Sequence, residues 1–194
     1  MLREFLKSCL SVVWKRSWIF VVLNWLFFGF IVLGALLLQF GVVGVYYWPL
    51  GETFPVEVGN VFLMVGFIFV FNLILSGFLV VTLTGLAFFG LPVFFISFRA
   101  FLWGLLLNEL STPLFLAILP VLILEGEGYV LGALAGVNLG LSWLKPSWAY
   151  RSENLSRLEA FKKALKDSAR IYILVAAVLF VAAIVETLAL VLIG

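Results

Sequence analysis

The sequence predicts an all-α integral membrane protein with five transmembrane helices. Hydrophobic residues make up 65% of the chain and charged residues 11%, with a mean hydropathy of +1.25, whereas a soluble domain is nearer half apolar and a quarter charged. Several apolar runs are long enough to cross a bilayer, which takes about 20 residues. These runs are continuous rather than alternating, so they favour helices over a barrel. We interpret residues 1–194 as a single membrane domain embedded in the lipid bilayer.

The N-terminal region combines a surface helix with a first membrane span. Residues 1–16 carry apolar side chains at helical spacing, which predicts a short helix lying in the interface. The first span is predicted over 17–44, and Lys15 and Arg16 mark its start. It is much longer than the apolar region of a signal peptide, and no small-residue cleavage site follows, so we predict a retained helix. Cys9 is the only cysteine and excludes an intramolecular disulfide.

The interiors of the next two spans contain one amide and one charged side chain, respectively. An aromatic belt at 46–48 ends the first span. The second span is predicted over 60–84, with Asn72 near its middle, and the third over 91–108, with Arg99. A charged residue inside a span is costly and needs a partner or water.

The fourth span, predicted over 113–143, is unusually long. As one helix its 31 residues would extend about 46 Å, well beyond a hydrocarbon core of about 30 Å. Pro120 lies within this span, and so do Glu125 and Glu127, each of which is followed by a glycine. We therefore expect a kinked or broken helix near residues 120–128.

Glycine recurs at every fourth position of this span, which places four glycines in one stripe of a helix. Such a stripe lets two membrane helices approach at backbone distance. We expect it to serve as a packing surface, and it favours a homodimer. The stripe consists of Gly128, Gly132, Gly136 and Gly140.

The C-terminal region is predicted as an amphipathic cytoplasmic helix over 145–170, running into a last span over 171–193. Ser156 and Glu159 have the spacing of a capping box, and Glu186 lies inside the span. Eleven of the twelve basic residues lie before the first span or between the last two. The positive-inside rule therefore predicts a multi-pass cell-membrane protein with a cytoplasmic N-terminus and an external C-terminus.

Several classes of function lack the residues they need. The chain has no histidine, which removes the commonest general base and metal ligand. We expect no enzyme, no catalytic residues, no cofactor and no bound metal. The net charge is only +2, and the basic residues lie at the ends of spans rather than in one basic patch. We therefore expect no nucleic-acid partner.

The buried polar residues have matched estimated depths, so we expect Arg99, Glu125 and Glu186 to lie within reach of one another, with Asn72 nearby. Glu127 is a weaker member of this intramembrane polar cluster. Three interpretations stay open: an ionic staple that fixes helix register, a path for ions or protons, and a contact site for a partner helix or a metal. Two glutamates without histidine or cysteine would suit only a hard cation.

Three blocks of the chain resemble the stage II sporulation protein M family of membrane proteins. They span residues 71–104, 119–140 and 182–186, and the two glutamates Glu125 and Glu186 with the glycine spacing carry most of the likeness. The resemblance implies a multi-span membrane protein that, in spore-forming bacteria, anchors cell-wall-degrading partners.

One departure from the family pattern concerns the fourth span, where Val121 and Leu122 replace the usual His-Gly. Any role of that histidine is absent here. The leading hypothesis is a non-enzymatic membrane scaffold, a homodimer, that positions a membrane or cell-envelope partner protein. The alternative is a channel or transporter for ions, protons or small solutes that uses Glu125, Glu186 and Arg99.

Overall fold

The computed structural model describes residues 2–42, 60–107, 110–150 and 153–193. Five of its helices are long and apolar enough to cross a membrane, which confirms the predicted fold class. The predicted aromatic belt at 46–48 lies outside the described residues.

The helices follow the predicted spans closely. The second span is irregular: α3 continues without interruption into a π-helical stretch, Phe71–Thr82, here called the π segment, and then a 3₁₀ turn, Leu83–Leu86. The α-helices are α1 Leu2–Lys15, α2 Ser17–Gln39, α3 Val61–Val70, α4 Gly90–Leu107, α5 Thr112–Leu144, α6 Pro146–Ala149 and α7 Arg157–Ile193.

Helix α5 lies at the centre of the bundle. It packs against α7, α2, α4 and the π segment, and nearly every side chain from Val121 to Ser142 is buried. Small residues allow this arrangement, because a helix surrounded on all sides must let several neighbours approach closely.

Of the two expected forms of the fourth span, a kinked or a broken helix, the structure excludes the broken one, since α5 is continuous from Thr112 to Leu144. Pro120 removes only one backbone donor from a helix of 33 residues. Gly126 and Gly128 stay helical because they are packed against neighbouring helices: an added Cβ would lie 2.6 Å from the Phe27 ring at Gly126. The irregular backbone lies in the second span instead.

Two other boundaries differ from the prediction. Helix α2 ends at Gln39 rather than near residue 44, because Gly41 takes a left-handed backbone conformation with φ of 68°. The surface helix begins at Arg157 rather than at residue 145. There the predicted capping box forms: the Ser156 backbone N–H donates to Glu159 at 2.9 Å, and the Glu159 N–H donates to the Ser156 hydroxyl at 3.4 Å.

Candidate functional site

A cavity of about 1060 Å³ opens at the end of the bundle where α3 and α5 begin and α4 and α7 end. We call this the cavity end. Helix α3 packs on α7, but among the described residues its Cα atoms come within 8 Å of neither α4 nor α5. The cavity occupies the resulting gap, so it is a consequence of helix separation rather than of a missing side chain.

The walls of the cavity are apolar and its floor is polar. Leucine, isoleucine, phenylalanine and methionine side chains of α3, α4 and α5 form most of the walls. The floor consists of one side chain from each of four helical segments: Asn72 of the π segment, Arg99 of α4, Glu125 of α5 and Glu186 of α7. The sequence prediction had proposed these four residues for one cluster.

A chain of hydrogen bonds connects the floor residues. The Arg99 guanidinium donates to the Tyr129 hydroxyl at 3.0 Å, and that hydroxyl donates to Asn72 Oδ1 at 2.8 Å. Asn72 Nδ2 then donates to Glu125 Oε1. The Glu125 and Glu186 carboxyl groups both line the cavity floor and interact electrostatically with each other.

The arginine reaches the glutamates through other side chains rather than directly. Across the described chain, no carboxylate lies within 4.0 Å of the Arg99 guanidinium. Its carbon lies 4.2 Å from the centre of the Tyr129 ring and 5.1 Å from that of Trp103. Tyr129 follows Glu125 by one helical turn and so lies on the same face of α5. The Tyr129 side chain therefore lies between Arg99 and Glu125. Cation–π attraction to its ring stabilises the Arg99 guanidinium.

Two buried atoms of the floor lack a hydrogen-bond partner among the residues that the structure describes. They are Glu186 Oε2 and Arg99 Nε, an acceptor and a donor beside the same cavity. Buried polar atoms in native proteins are normally satisfied by protein or by water. The floor thus has capacity to bind a further polar group.

Glu127 does not belong to this cluster. It follows Glu125 by two residues, which turns it about 200° around the helix axis, and its side chain meets Asn24 of α2. Sequence reasoning missed Asn24, and it also missed Tyr129 and Ser76, which accepts from Arg99 at 3.3 Å. The only sequence signal for Tyr129 was its position four residues after Glu125.

The glycine stripe contacts helices of the same chain. An added Cβ at Gly128 would lie 2.5 Å from Leu179 of α7, and one at Gly136 would lie 2.8 Å from the Thr82 carbonyl oxygen. The backbones of Gly140 and Gly85 also meet. The stripe is therefore buried inside the protomer and offers no surface to a second copy.

Below the cavity floor the second span and α5 are closely packed. The Thr82 hydroxyl donates to the Gly132 carbonyl oxygen at 2.8 Å and lies 2.8 Å from the Tyr172 hydroxyl. We call this region, from Thr82 to Gly90 with the facing part of α5, the packed end. None of the described residues that line the cavity belongs to the packed end.

The side chains of the cavity floor are suited to binding a polar group. In the part of the chain that the structure describes, no three acidic, cysteine or histidine side chains are grouped as a metal site would require. A guanidinium, two carboxyl groups, an amide and a phenol at the bottom of an apolar cavity can orient a charged or hydrogen-bonding group.

Outside the membrane-spanning part, a second polar cluster surrounds Tyr150. Its hydroxyl donates to Asp167 Oδ2 at 3.0 Å, and the Arg16 and Lys163 cations lie 4.9 and 4.7 Å from its ring centre. Burial, followed by the Asp167 carboxylate, raises the pKa of Tyr150 to about 12. The tyrosine therefore stays protonated and connects Arg16, between α1 and α2, with Asp167 and Lys163 of α7.

Comparison with known proteins returned one match. The model of the family described as Stage II sporulation protein M matches residues 19–189. No curated protein and no solved structure matches the chain. The matched range includes every residue of the cavity floor.

Proposed function

Because the chain belongs to the stage II sporulation protein M family, we propose that it is a non-enzymatic membrane scaffold that holds a partner protein at the membrane. The observation that carries this proposal is the cavity between α3 and the α4–α5 pair. Its apolar walls suit an apolar segment, and its charged floor gives that segment a fixed point of attachment. A binding role of this kind also agrees with a sequence that lacks histidine.

Site-specific photo-cross-linking tests this function. A photoreactive phenylalanine analogue replaces Phe67, which lines the cavity, or Phe98, a phenylalanine of α4 that is 51% exposed and lies outside the cavity. We expect a discrete protein adduct from position 67, identified by mass spectrometry, that position 98 does not give. Identical adducts from both positions would contradict a partner site in the cavity.

A matched pair of tryptophan variants sharpens this experiment. Ile118→Trp fills the cavity from α5, whereas Leu116→Trp adds the same bulk at a position of the same helix that is 61% exposed. The adduct from position 67 should disappear with Ile118→Trp and persist with Leu116→Trp. Size-exclusion profiles of both variants check that the fold is intact.

A transporter is the second candidate, because charged residues at mid-membrane depth next to irregular backbone are features of transporter binding sites. The π segment supplies such backbone beside Asn72. Passage would require the packed end to open at Thr82. Flux of ions, protons and small solutes into proteoliposomes tests this candidate with Glu125→Gln and Glu186→Gln, and absence of any flux from the wild-type protein would remove it.

The membrane orientation and the homodimer belong to the same proposal. We propose a cytoplasmic N-terminus and an external C-terminus, since the basic residues cluster at the packed end and in the α6–α7 region. Cysteine labelling in intact cells at introduced positions of either terminus tests this orientation. Light scattering in mild detergent tests the homodimer, which would need a surface other than the glycine stripe.

A further inference from the structure

We propose that the cavity receives a transmembrane helix of a different protein, and that this helix carries a lysine in the middle of its span whose ammonium group binds between Glu125 and Glu186. This inference rests on the proposed scaffold function and names the chemistry of the partner. The shape of the cavity, its charges and its depth each contribute a separate argument.

The shape of the cavity fits an entering helix. The gap lies between α3 and the α4–α5 pair, and α3 is joined to the rest of the bundle only through α7 and the π segment among the described contacts. A transmembrane helix of a partner can therefore approach sideways through the membrane and lie alongside α3. The walls contributed by Met64, Leu106 and Ile118 are apolar, as the flank of a membrane helix requires.

The charges of the floor fit one added cation. Two carboxyl groups face a single guanidinium, whose charge is already held over the Tyr129 and Trp103 rings. An ammonium placed between Glu125 and Glu186 supplies the positive charge that one guanidinium does not provide for two carboxyl groups. The unpartnered Glu186 Oε2 accepts one of the three ammonium N–H groups. Lysine suits this position because its ammonium is compact and sits on an aliphatic stem.

The depth of the floor distinguishes a protein helix from a lipid. Asn72 lies 12 residues, or about 18 Å, from Asn60 at the start of the span, and Arg99 about 12 Å from the end of α4. These depths fall near the middle of a hydrocarbon core of about 30 Å. A lipid headgroup stays at the membrane surface, whereas a lysine in the middle of a transmembrane helix lies at the depth of these carboxylates.

A second copy of this chain cannot supply the cation. Within the spans predicted from the sequence, the last of which begins at residue 171, Arg99 is the only basic residue, and it is part of the floor itself. The partner must therefore be another protein, which separates this inference from the homodimer.

Synthetic helices in proteoliposomes test the inference. The probe is an apolar Leu/Ala peptide of about 22 residues with one lysine at its centre, and the comparison peptides carry leucine or glutamate there. Association with fluorescently labelled protein is measured by energy transfer. We expect the lysine peptide to associate about tenfold more tightly than the leucine peptide, which is the size of effect that intramembrane polar contacts give in model peptides.

The protein variants assign the effect to the floor. The preference for lysine should disappear in the combined Glu125→Gln and Glu186→Gln variant and remain in Glu127→Gln, which removes a carboxyl group of the same helix that faces Asn24. Equal association of the lysine and leucine peptides with the wild-type protein, or a preference that survives the combined variant, would overturn the inference.

Two further outcomes separate this inference from its alternatives. If dodecylamine binds in a manner that depends on both glutamates while the lysine peptide does not, the occupant is an amphiphile and the inference is wrong. If position 67 still cross-links a partner protein while no peptide preference exists, the scaffold function stands and only the lysine contact fails.

Discussion

The second span and α5 are separated at one end of the bundle and closely packed at the other. At the cavity end, α3 stands apart from α5, and the buried atoms Glu186 Oε2 and Arg99 Nε have no hydrogen-bond partner among the described residues. At the packed end, the continuation of the same span meets α5 at backbone distance, and the Thr82 hydroxyl has three neighbours within 3.0 Å. The π segment is where one arrangement changes into the other. The comparison indicates that close backbone packing is found at the packed end and binding capacity at the cavity end.

The largest effect is expected at the charged floor. Arg99→Leu should lower the free energy of unfolding by about 3–5 kcal/mol, because it leaves buried carboxyl groups without compensating charge. Adding Glu125→Gln to Arg99→Leu should recover part of this loss, since a neutral amide then replaces one of the two buried carboxyl groups. Unfolding in mixed detergent micelles measures both variants. A double variant less stable than Arg99→Leu alone would show that the two groups are not electrostatically coupled.

The packed end should tolerate no added methyl group. Gly85→Ala places a Cβ against the Gly136 backbone, and such overpacking costs about 3 kcal/mol when backbone must shift. Gly66→Ala is the matched control, because an added Cβ there meets nothing within 4 Å. It should be neutral or stabilise the helix by up to about 1 kcal/mol. Similar stabilities of the two variants would contradict the contrast between the ends.

The hydroxyl of Thr82 should matter through its buried partners. Thr82→Val keeps the shape of the side chain but leaves the Gly132 carbonyl oxygen and the Tyr172 hydroxyl with one partner fewer, at a cost of about 2 kcal/mol. Thr84→Val is its control, because the Thr84 hydroxyl only binds carbonyl oxygens of its own helical turn. That control should change stability by less than about 0.5 kcal/mol. The same unfolding assay tests whether the two threonines differ in this way.

The smallest effect is expected from Ser76, the hydroxyl that faces the cavity end of the same π segment. Ser76→Ala removes one hydrogen bond of 3.3 Å from Arg99, and we expect a loss of about 0.5–1 kcal/mol. The loss is smaller than at Thr82 because the guanidinium keeps its contact with Tyr129 and lines a cavity that can admit water. A larger loss from Ser76→Ala than from Thr82→Val would contradict the stronger hydrogen bonding inferred for Thr82.

The sequence predicted the depth of the site residues in the membrane but not the direction in which each side chain points around its helix. Depth along a helix is a local quantity, so counting residues placed Asn72, Arg99, Glu125 and Glu186 near one level. It could not show that Tyr129 separates Arg99 from Glu125, because that depends on how two helices are rotated against each other. Glu127 was grouped with Glu125 from its proximity in sequence, yet the helical turn of 100° per residue sends it toward α2.

The sequence by itself determined the membrane class, the five spans, the surface position of the basic residues and the presence of charge within the spans. Each of these follows from local hydropathy, because hydrocarbon excludes unpaired polar groups wherever they lie. The tertiary structure alone decided that α5 stays continuous at its glycines, that the glycine stripe packs within the protomer, and that α3 stands apart to leave a cavity. These outcomes depend on which neighbour covers each face of a helix. The sequence does not reveal this, because a face that contacts lipid and a face that contacts another helix are both apolar.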